Sequence, residues 1–341
     1  MKAGRLLLVC ALIGVLSGSS LAVETLVPGY AVESYVTYAC PGTILAPREI
    51  AFDGSTRMYL SHWGHHGSIY RVNADKTVEQ WATGLGTPRR IAWGGGTAYG
   101  DYLYVADADS LGILQIASDG ADVPFVWPIF EAPTALAIDR TGTYGGQMFM
   151  ATRVMDNVQV VTPTGSLAPF SDFPGSIDGG PLDLSFDPGV GYGGKLYITT
   201  SSPEPAVSGL FGLDTAGNAA RFAPLIVDAF TVEVDSLGLM GGQMFVSGKS
   251  SFADPAYTIW QVDSAGAATP FARSTIGEGD LPTFTFGPDG ALYVPEYCPD
   301  TQQVVISRIT MLPVPIPAPG AGLLVCIGAA CYARLRRRVA A

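Results

Sequence analysis

Residues 285–297 read TFGPDGALYVPEY. A short apolar run, the turn Pro288-Asp289-Gly290 and a second run centred on Tyr293 make a β-hairpin. One hairpin decides little, but this one has five relatives in the chain. The aromatic centre recurs in Met58-Tyr59-Leu60, Leu103-Tyr104-Val105, Met148-Phe149-Met150, Leu196-Tyr197-Ile198 and Met244-Phe245-Val246. Counting on to Tyr293, the spacings are 45, 45, 48, 48 and 48 residues.

Each copy has the same neighbours. A first strand precedes it: PREIAFD (47–53), PRRIAWG (88–94), PTALAID (133–139), PLDLSFD (181–187), AFTVEVD (229–235) and LPTFTFG (281–287). Gly-rich turns such as TYGG (143–146) and GYGG (191–194) join the two. A third strand follows, for example IYRV (69–72) or IWQV (259–262), then a turn and a fourth. No sustained helical period is present. Four short antiparallel strands, six times over, predict an all-β, six-bladed β-propeller, because one twisted sheet cannot bury both faces and sheets stacked radially can. The sixth repeat lacks a fourth strand, and YAVESYVTYA (30–39) is a spare one near the N-terminus. Closure by that strand joining the last blade is expected.

The repeats resemble those of NHL-type and SMP-30/gluconolactonase-like propellers, over roughly residues 30–311, with 285–297 as the nearest stretch. The resemblance implies the ring, and in the gluconolactonase branch a metal-assisted hydrolase or lyase. The acidic-Gly-Pro entry motif of that branch is absent; Pro47-Arg48-Glu49 stands in its place. The family's catalytic residues are therefore not carried over.

The two ends read as targeting segments flanking a domain at 23–312. Lys2 and Arg5, the apolar run Leu6–Leu16 and Ser20-Leu21-Ala22 make residues 1–22 a signal peptide. At the other end a Pro-rich linker (313–319) leads into a hydrophobic segment and an arginine cluster (320–341). The apolar part, Gly320–Ala333, covers about 21 Å of a ~30 Å hydrocarbon core if helical. This tail resembles the PEP-CTERM sorting signal: the motif Val-Pro-Glu-Pro stands as Val314-Pro315-Ile316-Pro317, and Arg334, Arg336, Arg337 and Arg338 close it. The resemblance implies export, transient membrane anchoring by the tail and an exosortase-like sorting enzyme as partner.

The ends hold six of the 19 Lys/Arg and none of the 30 Asp/Glu, so without them the net charge moves from −11 to −17. Such a surface argues against nucleic acid as a partner. Of five cysteines, only Cys40 and Cys298 fall in the domain, one pair in an oxidising compartment. Both sit where blades 6 and 1 meet, and a disulfide locking the ring is expected.

A ring gathers residues that are distant in sequence. All three histidines lie in SHWGHHGS (61–68), as His62, His65 and His66. His62, Asp107 and Glu296 each stand three residues past a central aromatic, and convergence at one mouth of the channel would let them hold a divalent cation, calcium or zinc. His62 is equally a candidate base. Glu49, Arg90 and Asp183 share one position of the first strands, near the same mouth, and are candidate binding residues. Glu233 stands where other first strands carry Ala51, Ala92, Ala137, Ser185 and Thr285. A glutamate there is channel-facing and hydrated, or buried with a raised pKa and a candidate acid or base. Arg89, Arg90 and Arg153 could form rim ion pairs or hold an anionic sugar. Asp107-Ala108-Asp109 opens like a calcium loop, but Leu111 and Ser118 fall where further ligands belong.

Three function classes remain: recognition of an extracellular glycan or small molecule, metal-assisted hydrolysis or elimination near His62, and passive surface architecture. No Ser-His-Asp signature, CxxC pair, Walker loop or HExxH is present.

Overall fold

The computed structural model describes residues 23–40, 47–63, 67–129, 131–152, 157–172, 180–254, 256–275 and 283–313. His65, His66, Arg153, the signal segment and the sorting residues Pro315, Pro317, Arg334, Arg336, Arg337 and Arg338 lie outside them. Every regular element among the described residues is a strand, and the strands form six antiparallel sheets. The chain is a six-bladed β-propeller.

The first strands of blades 1 to 6 are Pro47–Phe52, Pro88–Trp93, Pro133–Ile138, Pro181–Phe186, Val232–Val234 and Thr285–Phe286. Each packs against the next, and the sixth returns to the first, so they enclose the axis. The central aromatics lie on the second strands and are buried, Tyr197 and Phe245 completely. Six apolar clusters fill the six gaps between neighbouring blades. Burying one such side chain contributes roughly 1.5–3 kcal/mol, available only once a neighbouring sheet covers it. Stacking is therefore what makes each blade stable.

Closure is as expected. Tyr30–Ala39 pairs along its length with Gln303–Met311 and becomes the outer strand of blade 6. One strand was not anticipated: Val23–Thr25 adds to Ala272–Ser274, giving blade 5 a fifth strand.

The expected disulfide is absent. Cys40 and Cys298 are free thiols, the first buried. Cys298 faces Gln303 on one side of the intervening strand, while Ala39 faces Gln303 on the other. Two sheet spacings put the cysteine backbones roughly 10 Å apart, beyond the ~7 Å a disulfide can bridge. The seam is held by strand pairing and by a cluster including Tyr38, Leu60, Tyr293 and Ile306.

Tyrosines from the Gly-rich turns also tie blades together. The Tyr144 hydroxyl donates to the Leu213 carbonyl (2.6 Å) and accepts from the Leu196 amide (2.8 Å), both in the following blade. Tyr192 does the same with Val262 and Met244 (2.6 and 2.8 Å), and Tyr99 with Val161 and Met148. An aspartate at the end of the first strand aims the turn: Asp139 Oδ2 accepts from the Tyr144 and Gly146 amides (2.7 and 3.0 Å). Gly146 has φ 68°, a conformation glycine adopts without a side-chain penalty.

Candidate functional site

Four first strands carry a bulge directly after their leading proline, so that Arg48, Arg89, Thr134 and Leu182 are extra residues opposite the second strands. A bulge re-aims the side chain it adds. All four line one cavity of about 230 Å³ at the mouth where first strands start and second strands end.

The polar wall is built from later loops. Asp228, held at φ 50°, accepts hydrogen bonds from the Ser201 and Tyr257 hydroxyls, the latter at 2.6 Å, and Lys249 Nζ lies 3.4 Å away. Trp63 and Phe230 supply flat apolar surface. The Arg48 guanidinium lies over both rings, 4.6 and 5.4 Å from their centres. Among the described residues, the ionisable side chains lining the cavity are Arg48, Arg89, Arg90, Asp228 and Tyr257.

Arg90 forms the floor. It is almost wholly buried and donates to the Leu182 carbonyl (3.1 Å) and the Phe230 carbonyl (2.9 Å), and to Glu49. Its Nε lies 3.6 Å from Asp183 Oδ1. One side chain from blade 2 thus engages blades 1, 4 and 5. Beyond it, toward the opposite face, lies a second cavity of about 320 Å³ whose walls include Glu49, Asp183 and Glu233. The channel is therefore divided by a salt-bridged septum, with its guanidinium on one side and its carboxylates on the other.

Burial dominates the septum's acid–base behaviour. It pushes Glu49 up to about 8; the Arg90 charge opposes this and the Asp183 charge adds to it. Asp183 is also raised by burial, with Arg90 opposing. Glu233 is raised well above the carboxylate range by burial, then by the charges of Asp183 and Glu49. It accepts from Thr285 Oγ1 (3.0 Å) and Ser185 Oγ (3.4 Å). Three carboxylates face one guanidinium, and Glu233, which makes no hydrogen bond to it, is where a proton is most easily kept.

Glu49, Arg90 and Asp183 thus come together, but His62, Asp107 and Glu296 do not. Among the described residues no group of three or more His, Cys, Asp and Glu could hold a metal ion. His62 is fully buried in the seam between blades 6 and 1, with Tyr38 Oη 2.6 Å from Nε2 and Cys40 Sγ 3.4 Å from Nδ1. Burial lowers its pKa to about 3, so it is a neutral core histidine. Asp107 accepts from the amides of Gly86, Thr87, Asp109 and Ser110 at 2.8–3.1 Å, fastening two loops. Glu296 is buried on the second strand of blade 6 and lines neither cavity. The reason is geometric: second strands stand one strand spacing farther from the axis, where their ends meet neighbouring elements.

No protein-family model and no curated protein matches the sequence. Among solved structures, a gluconolactonase from Xanthomonas campestris is similar at TM-score 0.57 and 14% identity, covering 84% of this chain and 99% of that one. Virginiamycin B lyase from Staphylococcus aureus is similar at TM-score 0.52 and 11% identity, covering 83% and 100%. An auxiliary nutrient binding protein from Bacteroides thetaiotaomicron is similar at TM-score 0.54 and 12% identity, covering 82% and 76%. At such identities the shared property is the propeller fold, which hosts both enzymes and binding proteins.

Proposed function

We propose that this protein is an exported, envelope-associated recognition protein whose binding site is the arginine-lined chamber at one mouth of the ring. The observation that carries this reading is the set of four bulges that turn Arg48, Arg89, Thr134 and Leu182 into one cavity. Rigid scaffolds that direct irregular positions toward one concavity are where binding resides. Among the described residues the chamber's lining carboxylate, Asp228, is held by Ser201 and Tyr257, an arrangement suited to fixing a ligand. Export and sorting rest on residues 1–22 and 313–341, with an exosortase-like enzyme processing the tail.

The test has two arms. Leu182→Trp, placed to fill the chamber, should abolish binding of any ligand found in a screen of extracellular saccharides and small acids while leaving the unfolding temperature unchanged. Mass spectrometry of envelope protein should find a chain starting near Val23 and lacking the arginine cluster. Binding that survives the tryptophan defeats the site, and an intact tail in the mature protein defeats the sorting.

A further inference from the structure

On the face opposite the chamber, where first strands end and second strands begin, an apolar ridge crosses blades 4 to 6. The turn of blade 5, DSLGLMGGQ (235–243), leaves Leu237 53% and Leu239 55% exposed. In blade 3 the same turn, DRTGTYGGQ (139–147), has Thr141 and Thr143 at those places. Folding the turn does not require the leucines. Asp235 Oδ2 accepts from the Met240 and Gly242 amides (2.6 and 2.9 Å), as Asp139 does from Tyr144 and Gly146, so the buried carboxylate shapes the turn.

Val190 in the turn of blade 4 extends the ridge, its Cβ lying 3.9 Å from where a Cβ on Gly242 would sit. On the other side Leu239 covers Gly290 of blade 6, where an added Cβ would fall 2.4 Å from Leu239 Cδ1. Leu292 pairs with Ile309, so Met311 and Leu312, both exposed, run past the level of that turn and complete the ridge. Two carboxylates near this end, Asp289 and Glu33, are bound by Arg308 at 2.7 Å. A row of exposed apolar side chains on an acidic domain marks a surface that meets something apolar.

The way the chain leaves the domain points to the partner. Only residues 313–319 separate Leu312 from the apolar segment that begins at Gly320. Seven residues span at most roughly 25 Å, little more than the ~19 Å width of four strands in a sheet. A bilayer holding 320–333 therefore lies within about one blade width of this face. We propose that the ridge formed by Val190, Leu237, Leu239, Met311 and Leu312 rests in the lipid interface of that bilayer, so that the chamber opens away from the membrane. This rests on the proposed reading of 313–341 as a tail that holds the domain at a membrane until it is cut. With Arg308 occupied by Asp289 and Glu33 and the domain carrying excess negative charge, the contact is with acyl chains and not with anionic headgroups.

The whole chain reconstituted in phosphatidylcholine vesicles tests this, with one tryptophan added at a time and its fluorescence taken as the difference from wild type. Leu239→Trp and Val190→Trp report on the ridge. Phe252→Trp reports on the chamber face, where Phe252 is exposed just beyond the second strand of blade 5. Acyl-chain-brominated lipid should quench both ridge variants about twofold or more, in low and high salt alike, and leave Phe252→Trp unchanged. Adding Leu237→Thr and Leu239→Thr to Val190→Trp should bring its quenching down to the Phe252→Trp level while the chain still floats with the vesicles. Unfolding temperatures matching wild type exclude a folding defect in any variant. Flotation without quenching of the ridge variants, or with equal quenching of Phe252→Trp, overturns the docking and leaves the tail as an anchor. Ridge tryptophans shielded from brominated lipid and from aqueous acrylamide alike mean that a protein covers the face, which also overturns it. Quenching lost at high salt overturns the apolar contact. A chain that does not float overturns the anchoring and the docking together.

Discussion

Arg90 of blade 2 reaches Asp183 of blade 4 across the axis of the ring, Nε to Oδ1 at 3.6 Å. The pair joins blades that are not neighbours. It does so inside the channel, together with Glu49 and the carbonyls of Leu182 and Phe230.

Removing the guanidinium strands two buried carboxylates and the carbonyls of Arg48, Leu182 and Phe230. Arg90→Met should cost about 3–5 kcal/mol, the range for breaking a buried ion pair by deleting one partner. Equilibrium denaturation in urea checks it. Arg90→Met with Glu49→Gln and Asp183→Asn should recover much of the loss, because the carboxylates are then no longer left charged and unpaired.

Glu233 sets an alkaline limit to stability. Its folded pKa lies above its unfolded value of 4.5, so the native state holds the extra proton above pH 4.5. Stability is greatest below that value and falls as pH rises toward the folded pKa, with Glu49, raised to about 8, acting in the same sense. Glu233→Gln keeps an acceptor for Thr285 and should flatten this limb, raising the unfolding temperature at pH 8 more than at pH 5.

His62 acts with the opposite sign. Its folded pKa is about 3 against 6.5 unfolded, so the unfolded chain binds the extra proton between those values. Stability is full above pH 6.5 and is lost as pH falls toward 3. His62→Gln should flatten the acid limb at some cost at neutral pH. A thermal-unfolding series from pH 4 to 8 on both variants separates the two limbs.

Tyr144→Phe leaves the ring in place and removes only the hydroxyl between Leu196 and Leu213. The buried amide and carbonyl of blade 4 then lack their partner, at an expected cost of about 1–3 kcal/mol. Hydrogen exchange should show the Leu196 amide losing protection while the amides of blade 1 keep theirs.

The ring was legible because its cause is periodic: an aromatic every 45 to 48 residues and a first strand before each. Glu233 was legible as the odd residue among small ones, and it lines the channel. The chamber was harder to read. Arg48 and Trp63 both stand in stretches that attracted notice, but their aim depends on a bulge after Pro47 and on a loop end, which strand alternation does not encode. Asp228 and Tyr257 come from loops between strands. His62 misled for a related reason: counting from Tyr59 gives its height in the ring but not its distance from the axis, and Tyr38 and Cys40, which surround it, come from the seam strand's end. The turn TYGG gave away a hairpin and hid in Tyr144 a contact with the next blade.

The seam has a consequence for timing. Tyr30–Ala39 leaves the ribosome ahead of every blade, yet its partner Gln303–Met311 emerges last among the described strands. Throughout synthesis, the leading strand therefore waits with its backbone edge open to any other chain. A chaperone that shields one ten-residue edge during that interval would protect the whole assembly from aggregation, and a ribosome stalled short of Gln303 would release a product unable to close.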